Sequence, residues 1–195
     1  ALLTGYYAQQ VGRDKLPGGG GGSRGKRPPW ARLLPHYLRP LGYRSYISGK
    51  WHVDGPAADG GFDRSYLLED HNRFFTPQKH LEDGNELPHV SPDDNYYATT
   101  AIADYAINYL REHSEEHAER PFFQYLAFTS PHFPLHALAE DIERYRSRYQ
   151  VGWDAIRAER WQRMQAMFAI PGELGPLEPH IGPPYHFPDA REILG

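Results

Sequence analysis

Residues 122–128, Phe-Phe-Gln-Tyr-Leu-Ala-Phe, form a nearly continuous apolar run closed by Pro121 and Pro131. Such a run reads as a central strand buried on both faces, because a strand with one wet face would alternate apolar and polar residues. Upstream, residues 97–116 place Ile102, Tyr105, Ala106, Tyr109 and Leu110 at i, i+3, i+4, i+7 and i+8, the apolar stripe of a helix. Helix followed by buried strand is one step of an α/β fold. A second step precedes it. Leu34, Leu38 and Leu41 have helical spacing, Pro35 is tolerable only in a first turn, and Gly42 suits a stop; residues 43–48 then read as a strand.

In open α/β sheets ligands bind beyond the carboxyl ends of the strands. The first strand is followed there by Ser48-Gly49-Lys50-Trp51-His52-Val53. In extended backbone, residues two apart point to the same side, so Lys50 and His52 offer an ammonium and an imidazole to one point while Trp51 packs the other way. By spacing alone this fits either an oxyanion grip or two solvated polar residues. The second strand is followed by Thr129-Ser130-Pro131-His132-Phe133-Pro134-Leu135-His136, so both strands deliver a histidine to the same edge. Imidazole takes and gives protons near neutrality, and a lysine beside it offsets charge building on an oxyanion. Pro134 rules out a helical His132/His136 zinc pair, and Ser130 is not framed as a nucleophile in a G-x-S-x-G elbow. The residues themselves point to a cationic, histidine-bearing site for an anionic substrate.

The bulk numbers narrow the partners. The chain has 195 residues with a net charge of -4, so no basic field argues for nucleic acid. No apolar run is long enough to span a bilayer. Cysteine is absent, which excludes disulfides and thiolate metal sites from these residues. Residues 13–29 contain five consecutive glycines, Gly18 to Gly22, and mimic phosphate-binding motifs. No strand precedes them, Arg27 stands where a magnesium-binding hydroxyl belongs, and Pro28-Pro29 follow, so a flexible surface loop is expected.

Residues 1–3 resemble a helix tail stopped at Gly5. Residues 54–90 show no sustained periodicity; they read as irregular, with short strands around Phe74 and His80 and with Phe62, Tyr66, Phe74 and Phe75 as packing anchors. Asp94-Asn95 is expected to cap the helix over 97–116. Two further helices are expected over 140–149, with Ile142, Tyr145 and Tyr149 inward, and over 154–168, with Ile156, Arg160, Met164 and Met167 or Phe168 along a core stripe. Residues 169–195 are Pro-rich and irregular.

The order of Ala1-Leu2-Leu3-Thr4-Gly5, of Leu41-Gly42-Tyr43-Arg44-Ser45-Tyr46-Ile47-Ser48-Gly49-Lys50-Trp51-His52, of Gly61-Phe62-Asp63, and of Pro121-Phe122-Phe123 through Ser130-Pro131-His132-Phe133-Pro134-Leu135 resembles type I sulfatases of the arylsulfatase kind. These belong with the alkaline-phosphatase-like hydrolases. The resemblance implies an α/β fold with a mixed sheet sandwiched by helices, residues 1–168 forming part of a sulfatase catalytic domain and 169–195 an irregular segment of that domain. It implies a sulfuric ester hydrolase acting on a sulfate ester small molecule or a sulfated saccharide.

By that resemblance Lys50 contacts the sulfate, His52 removes a proton so that sulfate is expelled, and His132 stands near the bridging oxygen to protonate the leaving alcohol. The family's nucleophile is a formylglycine made from Cys or Ser in a Cys/Ser-x-Pro-x-Arg motif just before an Ala/Met-Leu-Leu-Thr-Gly segment, hence upstream of Ala1. Its calcium is held by acidic pairs that also match nothing in this chain, and Asp94-Asn95 is not carried over as a ligand. The chain is therefore expected to be a fragment, inactive by itself, with exposed sheet edges and apolar surface. The resemblance favours a periplasmic or extracellular setting. Phe74, Phe75 and Phe133 are candidates for substrate selectivity or for core packing. The competing readings are a phosphate or phosphonate ester hydrolase of the same superfamily and a non-catalytic sulfatase-like binding protein.

Overall fold

A computed structural model describes residues 1–15, 25–168 and 170–176. The five glycines at 18–22 and most of the Pro-rich tail lie outside the described residues. The chain divides into two compact units, Ala1–His136 and Ala137–Gly195.

The first unit is built on β1 (Arg44–Gly49), which pairs in parallel with β2 (Arg64–Leu68) on one side and with β5 (Phe122–Ala127) on the other. Two short strands, β3 (His80–Glu82) and β4 (Asn85–Glu86), extend the sheet antiparallel beyond β2, giving the mixed order β4-β3-β2-β1-β5 among the described residues. Helix α1 (Leu34–Leu38) precedes β1 and helix α2 (Ala98–Glu116) precedes β5, so both expected helix-to-strand steps are present. Gly42 takes the left-handed conformation, φ 86°, where the turn after α1 ends.

Alternate residues of β1 serve opposite faces. Ile47 packs with Leu3, Leu33, Phe62 and Leu67 on one side. Tyr46 packs with Tyr66, Ile102 and Tyr109 under α2 on the other, where the Ser48 hydroxyl also donates to the Ile102 carbonyl at 2.6 Å. The α2 stripe is the one its spacing predicts, extended by the buried His113.

Two buried histidines are consumed by structure. His113 Nε2 lies 2.9 Å from the Arg120 carbonyl, which only accepts, so Nε2 carries the proton and Nδ1 receives the Tyr46 hydroxyl at 2.8 Å. His80 repeats the pattern, with Nε2 donating to the Pro88 carbonyl at 2.7 Å and Nδ1 facing the Tyr66 hydroxyl at 3.3 Å. Arg64 ties β2, β3 and α2 together through ion pairs with Glu82, Asp83 and Glu112, its guanidinium lying 4.8 Å from the centre of the Tyr109 ring.

Several expectations are corrected. Strand β2 is a full member of the sheet, whereas residues 54–90 read as irregular apart from Phe74 and His80; Phe74 is a core residue in a loop. β5 stands at the edge of the described sheet rather than at its centre, and Phe122 and Leu126 remain 48% and 41% exposed. Asp94 closes a capping box on Ser91 around a short 3-10 turn (Pro92–Asp94), and Asn95 is left-handed at φ 49°. The N-cap of α2 is Tyr97, which makes no side-chain cap bond.

In the second unit, α3 (Ala139–Tyr149) and α4 (Trp153–Phe168) form as the periodicity predicts. Neither helix has a fully buried residue among those described, and Ile142, Tyr145, Tyr149, Met167 and Phe168 are exposed, so the expected inward stripes are not cores here. Two short helices bring too little apolar surface together to close a core of their own.

Gly49 fixes how closely β1 and β5 approach. Its φ is +121°, and a Cβ there would collide with the Ala127 carbonyl oxygen. Gly84, in the β3–β4 turn at φ +82°, has open space around it. Gly49→Ala should therefore cost about 1–3 kcal/mol through steric displacement of the backbone, and more than Gly84→Ala, where only backbone strain of about 1 kcal/mol is at stake. Urea denaturation of both variants checks this; equal midpoints would refute the close-approach role of Gly49.

Candidate active site

Three parallel strands end at the same edge of the sheet, and each carboxyl end delivers a basic side chain. Beyond β1, Lys50 is held by its backbone N–H bond to the Ala127 carbonyl at 2.8 Å. Trp51 turns to the core, edge-on to Phe62 with ring centres 5.7 Å apart, and its indole N–H is fixed to the Gly55 carbonyl at 2.8 Å. His52 is exposed on the other side. Beyond β5, His132 is exposed and its backbone N–H bonds to the Thr129 carbonyl.

Beyond β2 comes His71, a residue the sequence reading did not single out. It sits in the loop over residues 69–79. That loop is pinched at its neck by the Glu69 N–H to the Lys79 carbonyl and by the Glu69–Lys79 ion pair. The Asp70 carboxylate accepts the Gln78 N–H at 2.8 Å, and Phe74 and Pro77 are fully buried beneath. The loop is thus folded by its own anchors, with His71 half-buried near its start.

His71 joins the two expected histidines into one cluster. Its ring lies edge-to-face with His52 at 5.1 Å between centres and with His132 at 5.8 Å. The structure thereby brings Lys50, His52 and His132 to one place, with His71 among them. His52 and His71 also border a recess of about 650 Å³ whose lining includes Arg13, Lys15 and Arg27. Arg27 is neutralised there by Asp54.

The hydrogen bonds assign protons. His71 Nδ1 lies 3.2 Å from the Glu69 carbonyl and His132 Nδ1 lies 2.7 Å from the Phe133 carbonyl. A carbonyl accepts only, so both rings carry hydrogen on Nδ1, and Nε2 is the atom left to exchange a proton or accept a bond. Burial lowers the His71 pKa, and the nearby Lys50 cation lowers it further, so the ring is held neutral. Burial likewise lowers Lys50 from the usual amine range.

Other candidates fall away. The Ser48 hydroxyl is committed to the Ile102 carbonyl and Ser130 pairs with Thr99 at 3.3 Å, so neither is poised as a nucleophile. Phe74 belongs to the core, while Phe133 is exposed beside His132. Among the described residues no group of three or more His, Asp or Glu converges in a way that would hold a metal ion. The Asp94 carboxylate, spent on Ser91, is no exception. Among the same residues no helix is long and apolar enough to cross a membrane.

A histidine-resolved NMR titration should find His71 as the Nδ1–H tautomer with a midpoint below the ordinary 6.5. Lys50→Met should raise that midpoint, because the cation opposing protonation is gone. A depressed folded value means that the stability His71 contributes is present above the unfolded midpoint and is lost as pH falls through the folded one. An unmoved midpoint in the Lys50→Met variant would refute the coupling.

The sulfatase family model matches residues 1–170. An uncharacterised sulfatase of Schizosaccharomyces pombe is 31% identical over 192 residues, covering 88% of this chain and 34% of that protein. The arylsulfatase of Klebsiella aerogenes is 30% identical over 201 residues, covering 92% of this chain and 42% of its own. The chain thus spans about a third to two fifths of the length of these relatives. Among solved structures, Ps i-CgsB in complex with k-i-k-neocarrahexaose superposes with a TM-score of 0.58 at 25% identity, over 75% of this chain and 36% of that one. BT4656 in complex with D-glucosamine-2-N,6-O-disulfate shares the fold, with a TM-score of 0.59 at 23% identity, over 75% of this chain and 26% of its own. With mixed sheet, histidine-bearing carboxyl edge and a family match running from the first residue past the end of α4, the chain belongs to the sulfatase family.

Proposed function

We propose that the whole protein to which this chain contributes hydrolyses sulfate monoesters, and that Lys50, His52 and His132 belong to its active site. The observation that supports this most directly is the meeting of these side chains around His71 at the carboxyl edge of three parallel strands. Lys50 supplies a cation to the sulfate oxygens as their charge grows. His52 serves as the base in the step that frees the bound sulfate. His132 presents Nε2 to the bridging oxygen and donates the proton that the departing alcohol needs.

The nucleophile in this proposal is the formylglycine that the sulfatase resemblance implies, whose hydrate attacks sulfur; the hydroxyls of Ser48 and Ser130 are committed elsewhere. Calcium, which the resemblance also implies, would be held by residues outside this chain, as the described residues offer no cage for it. The isolated chain is accordingly proposed to lack turnover. The Ps i-CgsB structure holds k-i-k-neocarrahexaose and the BT4656 structure holds D-glucosamine-2-N,6-O-disulfate, which supports a sulfated saccharide as substrate for this chain's parent as well.

The test is kinetic. In the whole protein Lys50→Ala should lower kcat/KM on sulfate esters by about 100-fold or more, the usual loss for a donor to developing oxyanion charge. His132→Asn should lower kcat by about 100-fold on alkyl sulfates yet change para-nitrophenyl sulfate much less, because nitrophenolate leaves without a proton. Equal loss on both leaving groups would remove the acid role of His132. Preference for para-nitrophenyl phosphate over the sulfate would favour the phosphate ester reading, and turnover by the isolated chain would overturn the placement of the nucleophile.

A further inference from the structure

We propose that His71 is a specificity-determining residue of this site, its uncharged Nε2 accepting a hydrogen bond from a substrate hydroxyl adjacent to the sulfate ester. The inference rests on the sulfate ester reading and deepens it. A sulfate monoester offers oxygen lone pairs only, so the groups that grip it must be donors: the Lys50 ammonium and a protonated imidazole serve. His71 is the opposite kind of group. Its one N–H is spent on the Glu69 carbonyl at 3.2 Å, and no hydrogen bond to Nε2 is made among the described residues.

The surroundings keep it that way. The charged and titratable groups near the ring are Lys50, His52, His132 and Asp70. Lys50 and His132 both disfavour a proton on His71, Asp70 favours one weakly, and burial outweighs Asp70. The Asp70 carboxylate is turned to the Gln78 N–H, within the loop itself. A bare lone pair would repel sulfate oxygens, so a donor has to meet it. The ring centres lie 5.1 Å from His52 and 5.8 Å from His132, which puts the partner within one substituent of the ester on which those residues act. An alcohol hydroxyl next to the esterified carbon is such a donor, and a simple aryl sulfate has none. The geometry therefore selects esters of polyols, saccharides above all, over esters of phenols.

The experiment uses the whole protein with sulfated monosaccharides, each paired with its deoxy analogue lacking the hydroxyl vicinal to the ester, and para-nitrophenyl sulfate as the hydroxyl-free reference. The wild type is expected to prefer the hydroxylated member of at least one pair by about tenfold or more in kcat/KM. His71→Ala and His71→Phe should erase that preference, lowering the hydroxylated ester by about tenfold more than the deoxy ester and para-nitrophenyl sulfate. His71→Gln, whose amide oxygen is a neutral acceptor, should restore much of it. Equal loss on all esters would mark His71 as merely structural and overturn the proposal. So would a wild type that turns over sulfate esters without distinguishing the pairs, while leaving the sulfatase reading intact. A wild type that turns over no sulfate ester at all overturns both.

Discussion

The fold depends on the double pairing of β1. A strand bonded on both edges and buried on both faces has no freedom of register: a slip by one residue would send Tyr46 and Ser48 to the Ile47 side and strand their polar atoms. Side-chain bonds reinforce the register. The Asp63 carboxylate accepts the Ser45 N–H at 2.8 Å, and the Asp63 N–H returns to the Ser45 carbonyl at 2.7 Å, pinning the start of β2 to β1. At the other end, the absence of a side chain at Gly49 lets β5 come close enough for the Ala127 carbonyl to receive the Lys50 N–H. The position of Lys50 is thus set by main-chain packing, before any side-chain chemistry enters.

The same parallel arrangement explains why the histidines gather. Parallel strands share a carboxyl edge, and the loops leaving that edge run side by side. Here those loops carry His52, His71 and His132, whose rings meet edge to face, with His71 and His132 each also bonded through Nδ1 to a nearby carbonyl. Two further histidines, His80 and His113, show the contrast. Both nitrogens of each are occupied by a tyrosine and a carbonyl, so they stabilise the interior and have nothing left to offer a ligand. In His71 and His132, by contrast, only Nδ1 is given to a carbonyl.

Much of this was legible in the chain. The α2 stripe, the β1 segment and the strand after Pro121 follow from periodicity, and Lys50, His52 and His132 follow from being next to strand ends. β2 was not legible. Arg64-Ser65-Tyr66-Leu67-Leu68 has no alternation and no preceding helix, since the β1-to-β2 connection runs through turns around Gly55, Gly60 and Gly61. Its strand character comes from pairing with β1 and β3, a nonlocal cause that local pattern does not carry. Missing β2 meant missing His71. The exposed stripes of α3 and α4 err the other way: periodicity reports that a face is apolar, not that something covers it.

The sequence by itself determined which segments become helices and which of the longer ones become strands, because spacing of apolar residues is a local property. It also determined the chemistry available at two strand ends. Tertiary structure alone decided that three strands, not two, open onto one edge, and that His71 stands between His52 and His132 with its proton fixed on Nδ1. Those facts depend on strand order, loop anchoring and the direction of single hydrogen bonds, all of which are set by residues far apart in the chain.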